Sequence, residues 1–520
     1  MTSAQALDAS YDAVVIGAGN GGLAAATQLA AKGAEVLLLE QHNLPGGYAT
    51  SFVRGRFEFE AALHLFCDIG PRGAPGDVRR ALEDDLGLHL DWVEVPASFR
   101  LILTDPREHL DIIVPYGAEA FVDSIEREVP GSREAVANYV ALCRETVEAI
   151  TYIGRSRGSP DRKVLTGQYG NFLRTAAYTV DEVARALKVP DKAKKILHAQ
   201  WSYLGPPTSR LNFTVYAAML YKFLRGGAYI PQNRSHGFVT ALDARIRELG
   251  GRVEYNTRVE QILVKDGAVV GVTTAHGDKI ATRHVISNAS PTVVYNHMIS
   301  PATDLPTAAY QECNARQHGL SGFVVYLGLD TTLQDLGIDE YHMFVYDNMD
   351  TDAMYASFGT LDAPRVQAVM GLNNALPDCS PPGTSILSTT TLYRPEAWSD
   401  VGPADYVAVK NKIAADLISD LEEALDAPIS EHIEEIEIAT PQTFARYTGA
   451  FGGGIYGYEP EPWDSIMPRL MTFRERFIEG LDFGCGYAFR CHGYSSSFLS
   501  GQTSALVAYR DMLDQGEVAQ

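Results

Sequence analysis

The stretch YDAVVIGAGNGGLAAATQLAAKGAEVLLLE, residues 11–40, admits very few folds. Asp12 to Ile16 are an apolar, β-branched run suited to a buried parallel strand. Gly17, Gly19 and Gly22 follow as G-x-G-x-x-G. Gly17 permits the tight turn, Gly19 lets backbone approach a diphosphate, and Gly22 lets the next helix pack closely on the strand. Residues 21–32 read as that helix, stopped by Gly33, with its free N–H groups and positive dipole end facing the phosphates. Glu35 to Leu39 make a second strand. Glu40 ends it, roughly 20 residues after the glycines, where an acid accepts hydrogen bonds from a ribose diol. Strand, glycines, helix, strand and acid in this order specify an ADP-containing dinucleotide, with Asn20 beside the phosphates. The acid disfavours a 2′-phosphate, which leaves FAD or NAD.

The remaining numbers narrow the class of protein. A chain of 520 residues builds two or three domains around a large core. No apolar run approaches the roughly 18 uninterrupted residues of a membrane-spanning helix, and the first ten residues do not read as a signal peptide. The formal charge of −22 argues against nucleic acid as a partner. Six scattered cysteines show no metal-like spacing and fit reduced thiols in a cytoplasm. Residues 155–195 depart from the overall acidity, with ten Lys or Arg against four Asp or Glu and aromatic residues interleaved. They form a solvated helical face or a surface for peripheral contact with anionic lipid, near Lys192, Lys194 and Lys195.

Leu44-Pro45-Gly46-Gly47 directly follows the acid, and FVRGRFEFEAALHLF comes soon after. This arrangement resembles flavoproteins of the phytoene desaturase, carotenoid isomerase and retinol saturase family. The resemblance is strongest at 11–64, 226–290, 440–457 and 475–515. It implies FAD as cofactor, with Gly46 and Gly47 beside it and the backbone at Val259 contacting the adenine. It also implies a glutathione-reductase-like, Rossmann-type α/β FAD-binding domain with an inserted α+β substrate domain.

Organisation along the chain follows that expectation. Residues 226–295 give a turn, an amphipathic helix ending at Gly250-Gly251, and a β-meander turning at Asp266-Gly267 and Gly277-Asp278. A returning strand leads to Ser287-Asn288-Ala289, with Ser287 expected at the cofactor. The FAD-binding domain is therefore expected to be discontinuous, over 1–75, 226–295 and 465–520, with 76–225 and 296–464 forming the substrate domain. Residues 180–224 are rich in Tyr, Leu and Phe, suited to an apolar pocket or an ordinary core. Gly452-Gly453-Gly454 reads as a loop.

One motif departs from the family. Its C-terminal strand ends in Gly-Asp, whose aspartate binds the ribityl-diphosphate region, followed by a Pro-Gly turn and a helix. Here the stretch is GLDFGCGYAFRCHGYSSSFLSG. The aspartate position becomes Gly486, the turn becomes His492-Gly493, and Asp482 stands four residues early. Ser495, Ser496 or Ser497 is expected to cap the helix. Its dipole would then stabilise negative charge at the flavin N1/C2=O edge.

The family works on long, apolar conjugated chains, with hydride passing at flavin N5 and a positioned acid or base handling the proton. The resemblance therefore implies an FAD-dependent enzyme acting on C=C bonds of a polyene or isoprenoid lipid by desaturation or saturation. Alternatives are redox-neutral isomerisation with reduced flavin and a flavin-free prenyl-binding protein like the GDP dissociation inhibitors; the middle block disfavours an amine oxidase. His64 is the first catalytic candidate. His492, Arg490 and Tyr494 occupy the altered turn, and an ordinary histidine pKa near 6.5 would suit His492 to proton transfer. Glu60 and Tyr229 fit packing or turn roles better, and Cys485 and Cys491 fit small buried thiols.

Overall fold

The computed structural model describes residues 10–62, 64–156, 159–467, 469 and 476–518. The opening stretch folds as its pattern dictates. β1 (Ala13–Ile16) is buried throughout, α1 (Asn20–Ala31) follows, and β2 (Val36–Leu39) pairs with β1 in parallel. They sit in a five-stranded parallel sheet with the order 481–483, 284–287, β1, β2, 252–254. Strands from three distant parts of the chain thus assemble one Rossmann-type sheet.

Helix α1 is buried from Asn20 to Ala30. A helix enclosed on all sides needs small side chains, which is why its sequence is NGGLAAATQLAA. The contacts are closest at the glycines. A Cβ on Gly22 would lie 1.9 Å from the Gly17 carbonyl oxygen, and one on Gly21 would lie 1.9 Å from that of Gly484. Across the same interface a Cβ on Gly501, in the C-terminal helix Tyr494–Gln515, would lie 1.9 Å from the Gly21 oxygen. A buried polar contact fixes the register there, since Gln502 donates to Gln28 at 3.1 Å and to Asp85 at 2.6 Å.

A second, four-stranded sheet carries the middle block, in the order 279–281, 268–274, 259–265, 299–300. Its hairpin turns at Asp266 and Gly267, both left-handed, with φ of 54° and 82°. The packing runs past residues 75 and 295. Val78, Ala81, Leu82 and Leu86 enter the core under α1. The strand Ile299–Ser300 pairs in parallel with Ile262 and Leu263, and Ala309 and Cys313 pack in the same cluster as that sheet.

The remaining chain builds a seven-stranded sheet in the order 433–439, 321–329, 385–393, 366–371, 342–346, 99–103, 110–114. The segments before and after the middle block meet where His342–Tyr346 runs parallel to Phe99–Leu103. One face packs on the helix Tyr406–Leu425 through Val325, Leu327, Val369 and Leu387. The alternate residues Val324, Val366, Ala368, Thr390 and Leu392 face a cavity. This is the period-two division of a strand between its two faces. The helices Arg133–Arg155 and Phe213–Gly226 supply further cavity wall, the first through Val147, Ile150, Thr151 and Gly154 and the second through Val215, Ala218, Met219 and Lys222. Both sets follow one helical face.

No helix among the described residues is long and apolar enough to cross a membrane. The basic stretch is less free than its charge count suggests. Lys192 pairs with Glu128, Lys194 with Asp191 and Lys195 with Glu108. These three lysines are members of intramolecular ion pairs at the surface, as a solvated face would have them. Arg157 and Gly158 of the same stretch lie outside the described residues.

The glycine contacts generate the first prediction. Gly501→Val forces α1 away from the C-terminal helix, and overpacking of this kind costs about 3 kcal/mol. A clear fall in the midpoint of thermal unfolding is expected; an unchanged midpoint would show that the interface yields without cost.

Candidate functional site

A single continuous cavity of about 1990 Å³ joins the nucleotide-type sheet to the seven-stranded sheet. Ordinary ligand pockets hold roughly 300–1,000 Å³, so this one has room for a cofactor and a second ligand together. Gly17, Gly19, Asn20, Glu40 and Val259 line its first part, Gly46, Gly47 and Gly486 its middle, and His64, Tyr203, Met219 and Leu392 the apolar remainder.

The first part is built from backbone. Gly46 N–H donates to the Ala18 carbonyl at 2.8 Å, which ties the Pro-Gly-Gly turn to the glycine loop. Gly46 has φ of 118°, and a Cβ there would lie 2.4 Å from the Ala49 oxygen. A Cβ on Gly19 would meet the Asn288 amide at 2.3 Å. No side chain caps α1, and the buried Oδ1 of Asn20 has no partner, while its Nδ2 donates to the Tyr494 carbonyl at 2.6 Å. Uncapped N–H groups and the absence of a Cβ fit a diphosphate laid across the loop, whereas the free Oδ1 of Asn20 is an acceptor suited to a hydroxyl and not to a phosphate oxygen.

Glu40 sits at the end of β2 and accepts from Ala18 N–H at 2.6 Å and His42 N–H at 2.7 Å. Burial pushes its pKa up, and the two N–H groups work against that shift. Each carboxylate oxygen keeps lone-pair capacity for a diol. Asn256 and Thr257 donate backbone N–H groups to the carbonyls of His42 and Glu40 at 2.9 and 2.8 Å, which brings Val259 to the same end.

One of the expected cofactor residues, Ser287, stands off the cavity, and Gly22 keeps the packing role its place in the motif implies. Ser287 is fully buried within its strand and does not line the cavity; its hydroxyl exchanges hydrogen bonds with Ala289. The cavity face falls to Asn288, Ala289 and Ser290, because the strand ends there and the side chain of Asn288 turns toward Gly19. Gly22 also lies off the cavity wall and acts through close packing. Gly486 does face the cavity. A Cβ on it would lie 3.4 Å from His492 Cβ and 3.5 Å from Ser497 Oγ, an ordinary contact, so the position tolerates a Cβ. Asp482 is no substitute. It is buried against Arg476 at 2.8 Å, off the cavity, with its carboxyl pushed up to about 7 chiefly by burial.

The expected catalytic residues all line the cavity but differ in freedom. His64 Nε2 lies 3.3 Å from Thr390 Oγ1, and burial pulls its pKa down to about 4, so it is neutral at pH 7. His492 Nε2 lies 2.9 Å from the Tyr203 carbonyl. A carbonyl only accepts, so Nε2 carries the hydrogen and the buried, unpartnered Nδ1 carries the lone pair. Its ring stacks on Tyr456 at 4.5 Å. Burial also draws the His492 pKa down to about 4, which corrects the expected value near 6.5. The neutral ring has its one N–H engaged and is not a ready proton donor.

Tyr494 is corrected likewise, because its hydroxyl donates to the Tyr48 carbonyl at 2.8 Å. It is the first residue of the C-terminal helix, whose cap position is Gly493. The expected serine cap is absent, and Ser495 instead donates to the Cys67 carbonyl at 2.6 Å. Arg490 faces the cavity with Nε buried and unpartnered. Glu60 and Tyr229 are buried off the cavity. Burial raises the Cys485 thiol to about 12, far from a reactive thiolate.

Sequence reasoning missed Tyr203. Its hydroxyl donates to His342 Nε2 at 2.7 Å, and His342 Nδ1 lies 3.2 Å from the Ser98 carbonyl. Nothing local marks it, since its partners come from remote strands. Asn288 had a signal, its place directly after a strand of the nucleotide sheet.

Histidine burial has a pH consequence. A group whose folded pKa is lowered binds fewer protons in the folded chain, so its contribution to stability declines as pH falls from about 6.5 to about 4. His492→Gln is therefore expected to gain stability relative to the parent as pH is lowered through that window. Urea unfolding at several pH values measures it, and a difference independent of pH would refute the shift.

Comparison with known proteins bears on this geometry. The family model described as flavin containing amine oxidoreductase matches residues 21–462. The all-trans-retinol 13,14-reductase of Danio rerio is 25% identical over 474 residues, covering 86% of this chain and 77% of that protein. The chloroplastic prolycopene isomerase of Daucus carota is 25% identical over 481 residues, covering 91% and 75%. Cyclohexylamine oxidase from Brevibacterium oxydans shares the fold with a TM-score of 0.62 at 16% identity, over 97% of this chain and 100% of that one. The flavin-free alternative falls with the family match. The chain belongs to the flavin containing amine oxidoreductase family, and it is an FAD-dependent enzyme of the oxidoreductase or isomerase type.

Proposed function

We propose that this protein acts on C=C bonds of an apolar polyene or isoprenoid lipid. The observation that carries the reading is the continuity of the cavity: the dinucleotide cradle opens without interruption into an apolar space walled by Val215, Ala218, Met219, Val366, Ala368 and Leu392. Such walls exclude water and align an extended chain. FAD, when bound, supplies hydride transfer at its N5 position.

The chain's own residues supply binding and proton handling. Gly17, Gly19 and Asn20 hold the diphosphate, Glu40 the adenosine ribose, Val259 the adenine, and Gly46, Gly47 and Gly486 leave room along the cofactor. We assign proton handling to His64, whose Nε2 meets the Thr390 hydroxyl, a group that can donate or accept, unlike the carbonyl that fixes His492. His492 holds the turn of the C-terminal helix to Tyr203. The similarity to a reductase and an isomerase at the same 25% identity supports a redox-neutral double-bond isomerisation as a second reading. We place the protein in the cytoplasm, with peripheral membrane contact through the basic stretch 155–195, in which Arg162 and Lys163 are exposed.

Two measurements test these roles. Glu40→Ala should weaken FAD retention about ten-fold or more, since a charged hydrogen bond contributes about 1.5–3 kcal/mol; Gly486→Asp should shift retention the other way. Unchanged retention in Glu40→Ala would remove the ribose contact. Anaerobic incubation with polyene lipids, with and without a reductant, followed by mass analysis, should show two hydrogens gained or lost, or an isomer of equal mass. Recovery of every polyene unaltered would refute the substrate class.

A further inference from the structure

We propose that the part of the cavity wall formed by Lys222 and Arg490 binds a carboxylate, so that the substrate is a polyene with an acidic terminus. The inference rests on the polyene reading and names which member of that class fits. The face of the helix Phe213–Gly226 on the cavity is apolar at Val215, Ala218 and Met219, and then presents Lys222 one turn further on. Arg490 lines the same cavity from the altered C-terminal turn, and Asp77 and Arg80 line it from the segment after residue 76.

These groups interact as one cluster. Lys222 Nζ lies 2.7 Å from Asp68 Oδ2, and Arg225 lies 3.5 Å from Asp68 Oδ1. Arg80 pairs with Asp77 at 2.5 Å. The field of Arg490 reaches Asp77 and Lys222, and Asp68 acts on Arg490 in return. Two carboxylates thus face four cations. Asp68 is itself buried and held at a left-handed φ of 60°, with its carbonyl accepting from Val78 N–H at 3.0 Å. A non-glycine residue is kept in that conformation only where its surroundings enforce it.

Arg490 is the member left over. Among the described residues no carboxylate lies within ion-pair distance of it, and its buried Nε has no hydrogen-bond partner. Burial disfavours its charge, yet a guanidinium does not give up its proton in a protein. Asp68 and Asp77 favour the charge from a distance, but a part-buried guanidinium with no carboxylate in direct contact leaves its fork open to one that a ligand supplies. The planar fork of the guanidinium matches a carboxylate in bidentate geometry. A largely apolar cavity that carries such a fork in its wall selects a long apolar chain with an acid at its end over the corresponding neutral lipid.

The test uses the flavin-loaded protein with trans-parinaric acid, a fluorescent polyene acid, and its methyl ester as the neutral control. The acid should bind about 10-fold tighter than the ester at low salt, with the preference shrinking as salt is raised. Arg490→Gln should bring the two probes within about two-fold, and Arg490→Lys should retain part of the preference. Equal binding of acid and ester by the parent protein would overturn the carboxylate site and leave the polyene reading standing. Failure of both probes to bind would overturn the polyene reading and this site with it. A preference that survives Arg490→Gln while the flavin midpoint potential shifts would place the guanidinium on the cofactor and overturn the proposal.

Discussion

Everything in this structure hangs on how closely three backbones approach one another around α1. The Gly17 turn, the first turn of α1 and the C-terminal helix meet at Gly21, Gly22, Gly484 and Gly501, with no room for a Cβ at any of them. That contact places the uncapped start of α1 against the Pro-Gly-Gly turn and brings residues 484–501 to the glycine loop. Without it the cradle for the diphosphate and the turn carrying Arg490 and His492 would not share a cavity. A chain end almost 500 residues away completes a site that the first 20 residues begin.

Burial governs the chemistry within that cavity. His64, His342 and His492 are all held neutral, with pKa values near 4, 3 and 4. Their tautomers follow from fixed partners: the Tyr203 carbonyl sets His492, and the Ser98 carbonyl with the Tyr203 hydroxyl sets His342. The site is thus a set of oriented neutral dipoles, suited to a cofactor that carries the redox chemistry itself. The charged cluster at Asp68, Lys222 and Arg490 interrupts this neutral lining.

The absent aspartate illustrates how a family site changes without collapsing. Gly486 keeps the position and tolerates a Cβ, while Asp482 is engaged by Arg476. The surrounding cradle is made of backbone N–H groups and glycines, which do not depend on that one carboxylate. Cys491 at φ of 63° and Gly493 at φ of 104° shape the turn where the family has Pro-Gly.

Sequence alone determined the nucleotide unit, because its signals are local. A buried strand, three glycines at fixed spacing, an alanine-rich helix and a terminal acid constrain their own backbones, and they folded where the pattern placed them, as did the hairpin at Asp266-Gly267. Side-chain roles were not determined in this way. Ser287 and Asn288 are neighbours, and only the tertiary structure decided that the asparagine faces the cavity and the serine does not. His492 and Tyr494 read as free polar groups until the fold set carbonyls opposite them. The sequence shows Lys192, Lys194 and Lys195 as a basic run, and only the fold shows the carboxylates they pair with. Tyr203 and the pairing of Lys222 with Asp68 join residues far apart in the chain, and no local pattern encodes such meetings. Hydrophobic and steric period is written residue by residue, whereas desolvation and hydrogen-bond partnership exist only once distant segments have packed.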